Sequence, residues 1–242
     1  TGRNIGENHI EVPEPDRGVI YAYGAPLREQ AGFLVLSGNL FDGALIKTCV
    51  ISDNFRERYL SKPGEENCFT VRAVVFEGPE DYHERIDDPE LRIDERCLLV
   101  VRGCGPVGYP GSAEVVNMQP PARLIKDGIR TLPTMGDGRQ SGTAASPSIL
   151  NVSPEAAVGG NLALLETGDE IRVDLNESRV DLLISDEELG RRREAYKPED
   201  IQHQTPWQEI YRGHVGQLAT GGCLELATNY HCVSDGIPRH NH

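Results

Sequence analysis

Apolar residues in this chain come in short runs, each stopped by glycine, proline or an Asp-Gly or Gly-Asn turn, and that punctuation limits the folds open to it. Phe33-Leu34-Val35-Leu36 ends at Gly38-Asn39, and Asp42-Gly43 turns the chain into Ala44 to Ile51. Val71 to Phe76 stops at Glu77-Gly78-Pro79, and Cys97 to Val101 runs into a glycine loop. Ile171 to Leu175 and Arg179 to Ile184 alternate around Asn176-Glu177-Ser178, a hairpin pattern. Helical signals are brief. Pro79-Glu80-Asp81 suits a first helical turn, Pro121 to Gly128 reads as a helix end with a glycine cap, and Ser153-Pro154-Glu155 reads as a capped start. Ser185 with Glu188 forms a capping box ahead of a helix to Ala195. A doubly wound sheet needs longer, regular crossover helices, so the expected architecture is a β-rich α/β domain, a closed or sandwich-like β core flanked by short helices.

Three segments are expected. Residues 1–32 hold Pro13, Pro15 and Pro26 without a sustained period and read as an interdomain linker or wrapping arm. Residues 33–196 carry the β-rich domain. Residues 197–242 hold Trp207, Tyr211, Tyr230 and most of the histidines and read as a C-terminal extension, helical from Thr205 to Leu218 with an apolar face continued by Cys223 to Ala227.

Composition excludes several classes. The net charge of -14 comes with no basic stripe, so a nucleic-acid partner is not expected. No apolar run is long enough to span a bilayer, and no signal-peptide pattern opens the chain. The six cysteines form no Cys-x-x-Cys pair and read as free thiols of a cytoplasmic protein. No His-Glu-x-x-His pair is present either, and His214, His231, Cys223 and Cys232 read as core thiols and hydrogen-bonded imidazoles.

Chemistry concentrates in two glycine-rich loops. Arg102 to Gly111 offers backbone N–H groups that suit an anion, or serves as a tight structural turn; it lacks the dinucleotide and phosphate-loop spacings. Glu114, between that loop and an apolar stretch, is either a solvated surface carboxylate or a ligand for a hard divalent cation. Gly136 to Ser148 gathers Asp137, Arg139, Ser141 and Thr143. Arg139 suits a bidentate carboxylate clamp, and Ser141 suits proton transfer once a neighbour or metal activates it. The alternative is a flexible polar turn. Arg139-Gln140-Ser141-Gly142-Thr143 is not the nucleophile elbow of a hydrolase.

These stretches, taken in order, resemble the C-terminal part of the dihydroxy-acid and phosphogluconate dehydratase family, in particular its sugar-acid (arabinonate and xylonate) branch. The resemblance rests on Gly38-Asn39-Leu40 with Asp42-Gly43, Val75 to Tyr82, Arg102 to Glu114, Gly136-Asp137-Gly138-Arg139 into Ser141-Gly142-Thr143, and Ser153 to Ala157 into Gly159-Gly160. It implies a closed, β-barrel-like swivelling domain of the aconitase type. It further implies that Glu114 is a magnesium ligand, that Ser141 is the base removing the C2 proton of a sugar acid, and that Asp137, Arg139 and Thr143 line the substrate. The implied reaction eliminates water from a 2,3-dihydroxy acid to give a 2-keto-3-deoxy acid, with Mg2+ and a [2Fe–2S] cluster as cofactors. The cluster cysteines and the remaining metal ligands belong to an N-terminal domain whose motifs do not occur here. The resemblance therefore implies an isolated C-terminal domain, inactive alone, whose partners are the N-terminal domain, a sugar-acid substrate and further copies in a dimer or tetramer. Gly111-Ser112-Ala113-Glu114 differs from the Gly-Met-Arg-Glu usual in branched-chain dehydratases, which favours a pentonate over a branched-chain dihydroxy acid. A degenerate, non-catalytic domain and a β-rich assembly domain are the competing expectations.

Overall fold

The computed structural model describes residues 2–9, 15–27, 29, 31–114, 117–139, 148–198, 201–202 and 204–229. The chain divides into two compact units, Thr1–Ala31 and Gly32–His242. In the first, the short helix α1 (Ile5–His9) is capped by Asn4, whose side-chain oxygen accepts the Glu7 N–H at 2.9 Å while the Glu7 carboxylate accepts the Asn4 N–H at 3.0 Å. None of its described residues is buried.

The second unit is an eight-stranded mixed sheet that curls nearly into a barrel. Its strands are β1 (Phe33–Leu36), β2 (Gly43–Lys47), β3 (Cys68–Glu77), β4 (Cys97–Arg102), β5 (Thr134–Gly136), β6 (Ser148–Ser153), β7 (Glu170–Asp174) and β8 (Arg179–Leu182), in the order β1-β2-β6-β5-β4-β3-β7-β8. The central four, β6-β5-β4-β3, are parallel, and antiparallel strands flank them on both sides. The two edges meet at Ser37, which donates to Ser178 O at 3.0 Å and accepts from Val180 N at 2.9 Å. Asn39 locks the seam. Its amide donates to Leu182 O at 2.8 Å and accepts from Leu182 N at 2.7 Å, and its backbone N–H reaches Asp181 at 3.0 Å. A Cβ on Gly38 would stand 1.9 Å from Val180 O, so only glycine permits this closure.

Core packing explains the strand sequences. In β3, Ala73 and Val75 enter the cluster built around Leu36, Ile46, Phe55 and Val152, while Val74 and Phe76 face a second cluster with Tyr82, Ile93 and Leu124. In β4, Leu98 and Val100 take the first side and Leu99 and Val101 the second. Strands covered on both faces read as unbroken apolar runs. Strands β7 and β8 bury one face only and alternate, with Ile171, Val173, Val180 and Leu182 inward.

Short helices cover the sheet: α2 (Asp53–Phe55), continued by a π-turn over Arg56–Leu60, α3 (Gly78–Arg85), α4 (Ala122–Lys126), α5 (Asp186–Ala195) and α6 (Pro206–His214). Pro79 lies in the first turn of α3, Gly128 follows α4 at φ +89°, and Ser185 accepts the Glu188 N–H at 3.2 Å. The Glu188 carboxylate turns to Arg191 and Arg192 instead of closing a reciprocal box. Arg192, which also pairs with Asp169 at 2.6 Å, ties α5 to the barrel.

Three local expectations need correction. The run from Ala44 to Ile51 leaves the sheet at Lys47, because a 3-10 turn over Thr48–Val50 follows. Ser153 caps no helix; it is the buried last residue of β6, and a 3-10 turn over Ala156–Val158 follows without a side-chain cap. Helix α6 ends at His214, four residues before Leu218, and the next turn is a separate 3-10 segment over Leu218–Thr220. Leu224 and Leu226, in the stretch expected to continue an apolar face, are exposed.

Candidate active site

The chemically dense residues collect at the carboxyl ends of the parallel strands: Glu77 closing β3, Arg102 closing β4 with Gly103 to Gly108 after it, Asp137 to Arg139 after β5 and Glu155 after β6. Open parallel sheets bind ligands at this end, because the strands stop and loops of several elements converge.

Two buried carboxylates hold the first glycine loop from behind. Asp137 is fully buried, and its carboxylate accepts N–H bonds from Gly103, Cys104 and Ala156, each at 2.9 Å. Glu155, also fully buried, accepts from Val107 and Gly108 at 2.9 Å and from the Gln217 side chain at 2.8 Å. Gln217 in turn accepts the Glu155 backbone N–H at 2.8 Å, so the C-terminal segment is pinned to the same loop. Buried charges persist only when hydrogen-bonded in this way.

The glycines are required by contact. A Cβ on Gly105 would lie 2.4 Å from the Glu155 carboxylate, and one on Gly108 would lie 2.2 Å from Gly103 O. Arg102 braces the base of the loop. It forms a two-pronged pair with Glu77, with Nε at 3.0 Å from each oxygen, and donates to the carbonyls of Leu162, Ala163 and Leu165.

Burial pushes the Asp137 carboxyl up to about 6, against the downward pull of its three N–H donors. Burial and the surrounding carboxylates, Asp137 foremost, push the Cys104 thiol well up. A thiol held protonated is a poor metal ligand.

The rim of the loop is built differently. Glu114 and Arg139 meet across an isolated parallel bridge, with Arg139 Nη2 at 3.2 Å from Glu114 Oε1. Their side chains are 48% and 59% exposed, so this carboxylate and guanidinium are open to a ligand arriving from outside. Thus Glu114 and Arg139 meet, exposed, where the two glycine-rich loops come together, and Asp137 lies buried beneath the first of them. Ser141 and Thr143 lie outside the described residues, as do His231 and Cys232. His214 and Cys223 are exposed rather than core groups.

Glu155 and Gln217 carry as much of the loop as Asp137 does, yet sequence reading passed over both. Their partners are backbone N–H groups and each other, which leave no motif. The one local signal is a carboxylate two residues past the end of β6.

The donors present can be tested against the implied cofactors. Glu114 is a hard, accessible oxygen donor of the type magnesium takes. It is one donor, and among the described residues no group of three or more His, Cys, Asp or Glu side chains could hold a metal ion. The described cysteines fit a cluster poorly. Cys68, Cys97 and Cys104 are buried with raised pKa values, and Cys49 and Cys223 are exposed.

The profile of the C-terminal domain of dihydroxy-acid/6-phosphogluconate dehydratases matches residues 18–222. The whole chain is 58% identical to 41% of the length of D-xylonate dehydratase from Caulobacter vibrioides. It is 36% identical, again over its whole length, to 40% of L-arabinonate dehydratase from Rhizobium leguminosarum. Over 76% of its length it is 35% identical to 31% of dihydroxy-acid dehydratase from Archaeoglobus fulgidus. The chain thus spans about two-fifths of the length of the sugar-acid relatives it matches.

Proposed function

The chain belongs to the dihydroxy-acid/6-phosphogluconate dehydratase family, whose C-terminal domain it represents, and on that premise we propose that it is the C-terminal half of a dehydratase acting on an aldonate of pentonate size. The observation that carries this reading is the open Glu114–Arg139 pair on the rim of a rigid loop, in a chain 58% identical throughout to D-xylonate dehydratase.

The reaction removes the C2 proton and the C3 hydroxyl of a 2,3-dihydroxy acid as water, leaving an enol that tautomerises to the 2-keto-3-deoxy acid. Arg139 receives the substrate carboxylate through two parallel hydrogen bonds, exchanging one anionic partner for another. That exchange frees Glu114 to face a cation. Magnesium, when bound, supplies positive charge that acidifies the C2–H bond and stabilises the enediolate-like state; Glu114 is the oxygen this chain contributes to holding it. Ser141, as the alkoxide left once nearby positive charge has lowered the pKa of its hydroxyl and that proton has passed to solvent, takes the C2 proton, and Thr143 is a further substrate-binding residue. Asp137, whose hydrogen bonds all go to backbone N–H groups, serves the substrate by fixing Gly103 and Cys104 rather than by touching it. The iron–sulfur cluster finds no ligand set among the described cysteines; its ligands belong to the N-terminal domain.

The test is a chimera in which this chain replaces the matching 41% of the Caulobacter D-xylonate dehydratase. The expected result is dehydration of a pentonate, lost by roughly a hundredfold or more in Glu114→Gln and in Ser141→Ala. A folded chimera that dehydrates no aldonate, or full turnover in both variants, overturns the proposal.

A further inference from the structure

A cavity of about 500 Å³ opens on the flank of the first glycine loop, between Gly103 and Gly108 on one side and the chain from Tyr196 to Arg212 on the other. Its volume falls within the roughly 300–1,000 Å³ of small-molecule sites. Neither Glu114 nor Arg139 lines it, and no described residue of the second glycine loop does.

The charge of this cavity runs against that of the chain. The one acid in its described lining, Glu77, is already paired with Arg102. Two cations remain. Lys197 is exposed and makes no ion pair with another described residue. Arg212 donates to the backbone carbonyls of Gln202 at 2.9 Å and Gly108 at 3.3 Å. In a chain of net charge -14, such a cleft concentrates anions. The rest of the lining suits a flat body. Tyr109 and Tyr196 supply rings, and Tyr196 is held by its hydroxyl, which donates to Ala156 O at 3.2 Å. Gln202 and Gln204 bring amides, which both donate and accept.

We propose that this cavity is a second binding site, separate from the Glu114–Arg139 rim, for an organic anion of nucleoside monophosphate type. Lys197 and Arg212 take the phosphate, the tyrosines take the ring face, and the glutamine amides take the polar ring edge. An open-chain pentonate has no flat ring to offer the two tyrosines. Arg212 links the cavity to the loop, because the same guanidinium that meets the anion holds Gly108 O. Occupancy therefore steadies the loop that leads to Glu114.

The test is calorimetric titration of the chain with adenosine monophosphate, beside adenosine, inorganic phosphate and D-xylonate. The expectation is one saturable site for the nucleotide, with adenosine and phosphate each weaker by roughly tenfold or more, because each lacks one half of the recognised chemistry. Lys197→Ala should weaken the nucleotide by about tenfold with melting unchanged. Ala157→Phe, which fills the cavity and leaves both cations in place, should abolish binding. Hydrogen exchange over residues 103–109 should slow on saturation. Absence of nucleotide binding, or binding that both variants leave intact, would overturn the proposal. D-xylonate binding that Lys197→Ala weakens in place of the nucleotide would overturn it too, by assigning the cavity to the sugar acid. Nucleotide binding with unchanged exchange over 103–109 would overturn the link to the loop.

Discussion

Asp137 and Glu114 are carboxylates of one glycine-rich region, yet their surroundings are opposite. Asp137 is fully buried, and its three hydrogen bonds go to backbone N–H groups. Glu114 is half exposed and meets one guanidinium. Glu155 repeats the first pattern and Arg139 the second. The difference teaches how a loop dense in glycine is made rigid. Buried acids fix its backbone from behind, and the freedom that remains is confined to side chains at the mouth. Rigid support beneath an open rim is what a site needs if its reacting groups are to hold their geometry.

The largest effect should come from the buried acids. Glu155→Ala strips two loop N–H groups and Gln217 of their acceptor and should cost about 3 kcal/mol or more in denaturant unfolding. A loss under ~1 kcal/mol would break the contrast between back and rim. Gly105→Ala drives a methyl group against the Glu155 carboxylate and should cost about 2 kcal/mol by overpacking, measured in the same way.

Acidification gives a sharper, signed test. The folded-state pKa of Asp137 is raised to about 6 from an ordinary value near 3.8, so the folded state binds this proton more readily than the unfolded state does. Its own contribution to stability therefore grows as pH falls through about 6 towards 4, and fades again above 6. Thermal melts from pH 7 to 5 should show this upward component in the wild type and not in Asp137→Asn. At the rim, the smallest effects are expected. Glu114→Gln and Arg139→Ala should each leave the melting temperature within about 2 °C of wild type, because exposed ion pairs contribute little.

The same division governs how much was legible in the sequence. Strands β3 and β4 showed as apolar runs because both faces are buried, and β7 with β8 as an alternating hairpin because one is. Strands β5 and β6 did not show. Thr134-Met135-Gly136 is too short for a period, and the Ser148–Ser153 strand has serine at both ends and Asn151 within. Thr134 and Ser148 instead satisfy one another by a buried hydroxyl–hydroxyl hydrogen bond between paired strands. Of the site, Glu114 and Arg139 were visible through a resemblance spanning several motifs, and the structure brings them into contact. Asp137 was visible as a residue but not in its support of the loop. That support, like the Glu155–Gln217 pairing over sixty-two positions, depends on backbone groups that any sequence possesses.

On the proposed function, stability resides at the back of the loop and reactivity at its rim. The direct measurement is kcat/KM for D-xylonate beside the melting temperature, in one chimera carrying Glu114→Gln. The account predicts a loss of roughly a hundredfold or more in kcat/KM with melting unchanged within about 2 °C. Retained turnover, or melting that falls in step with activity, would contradict it.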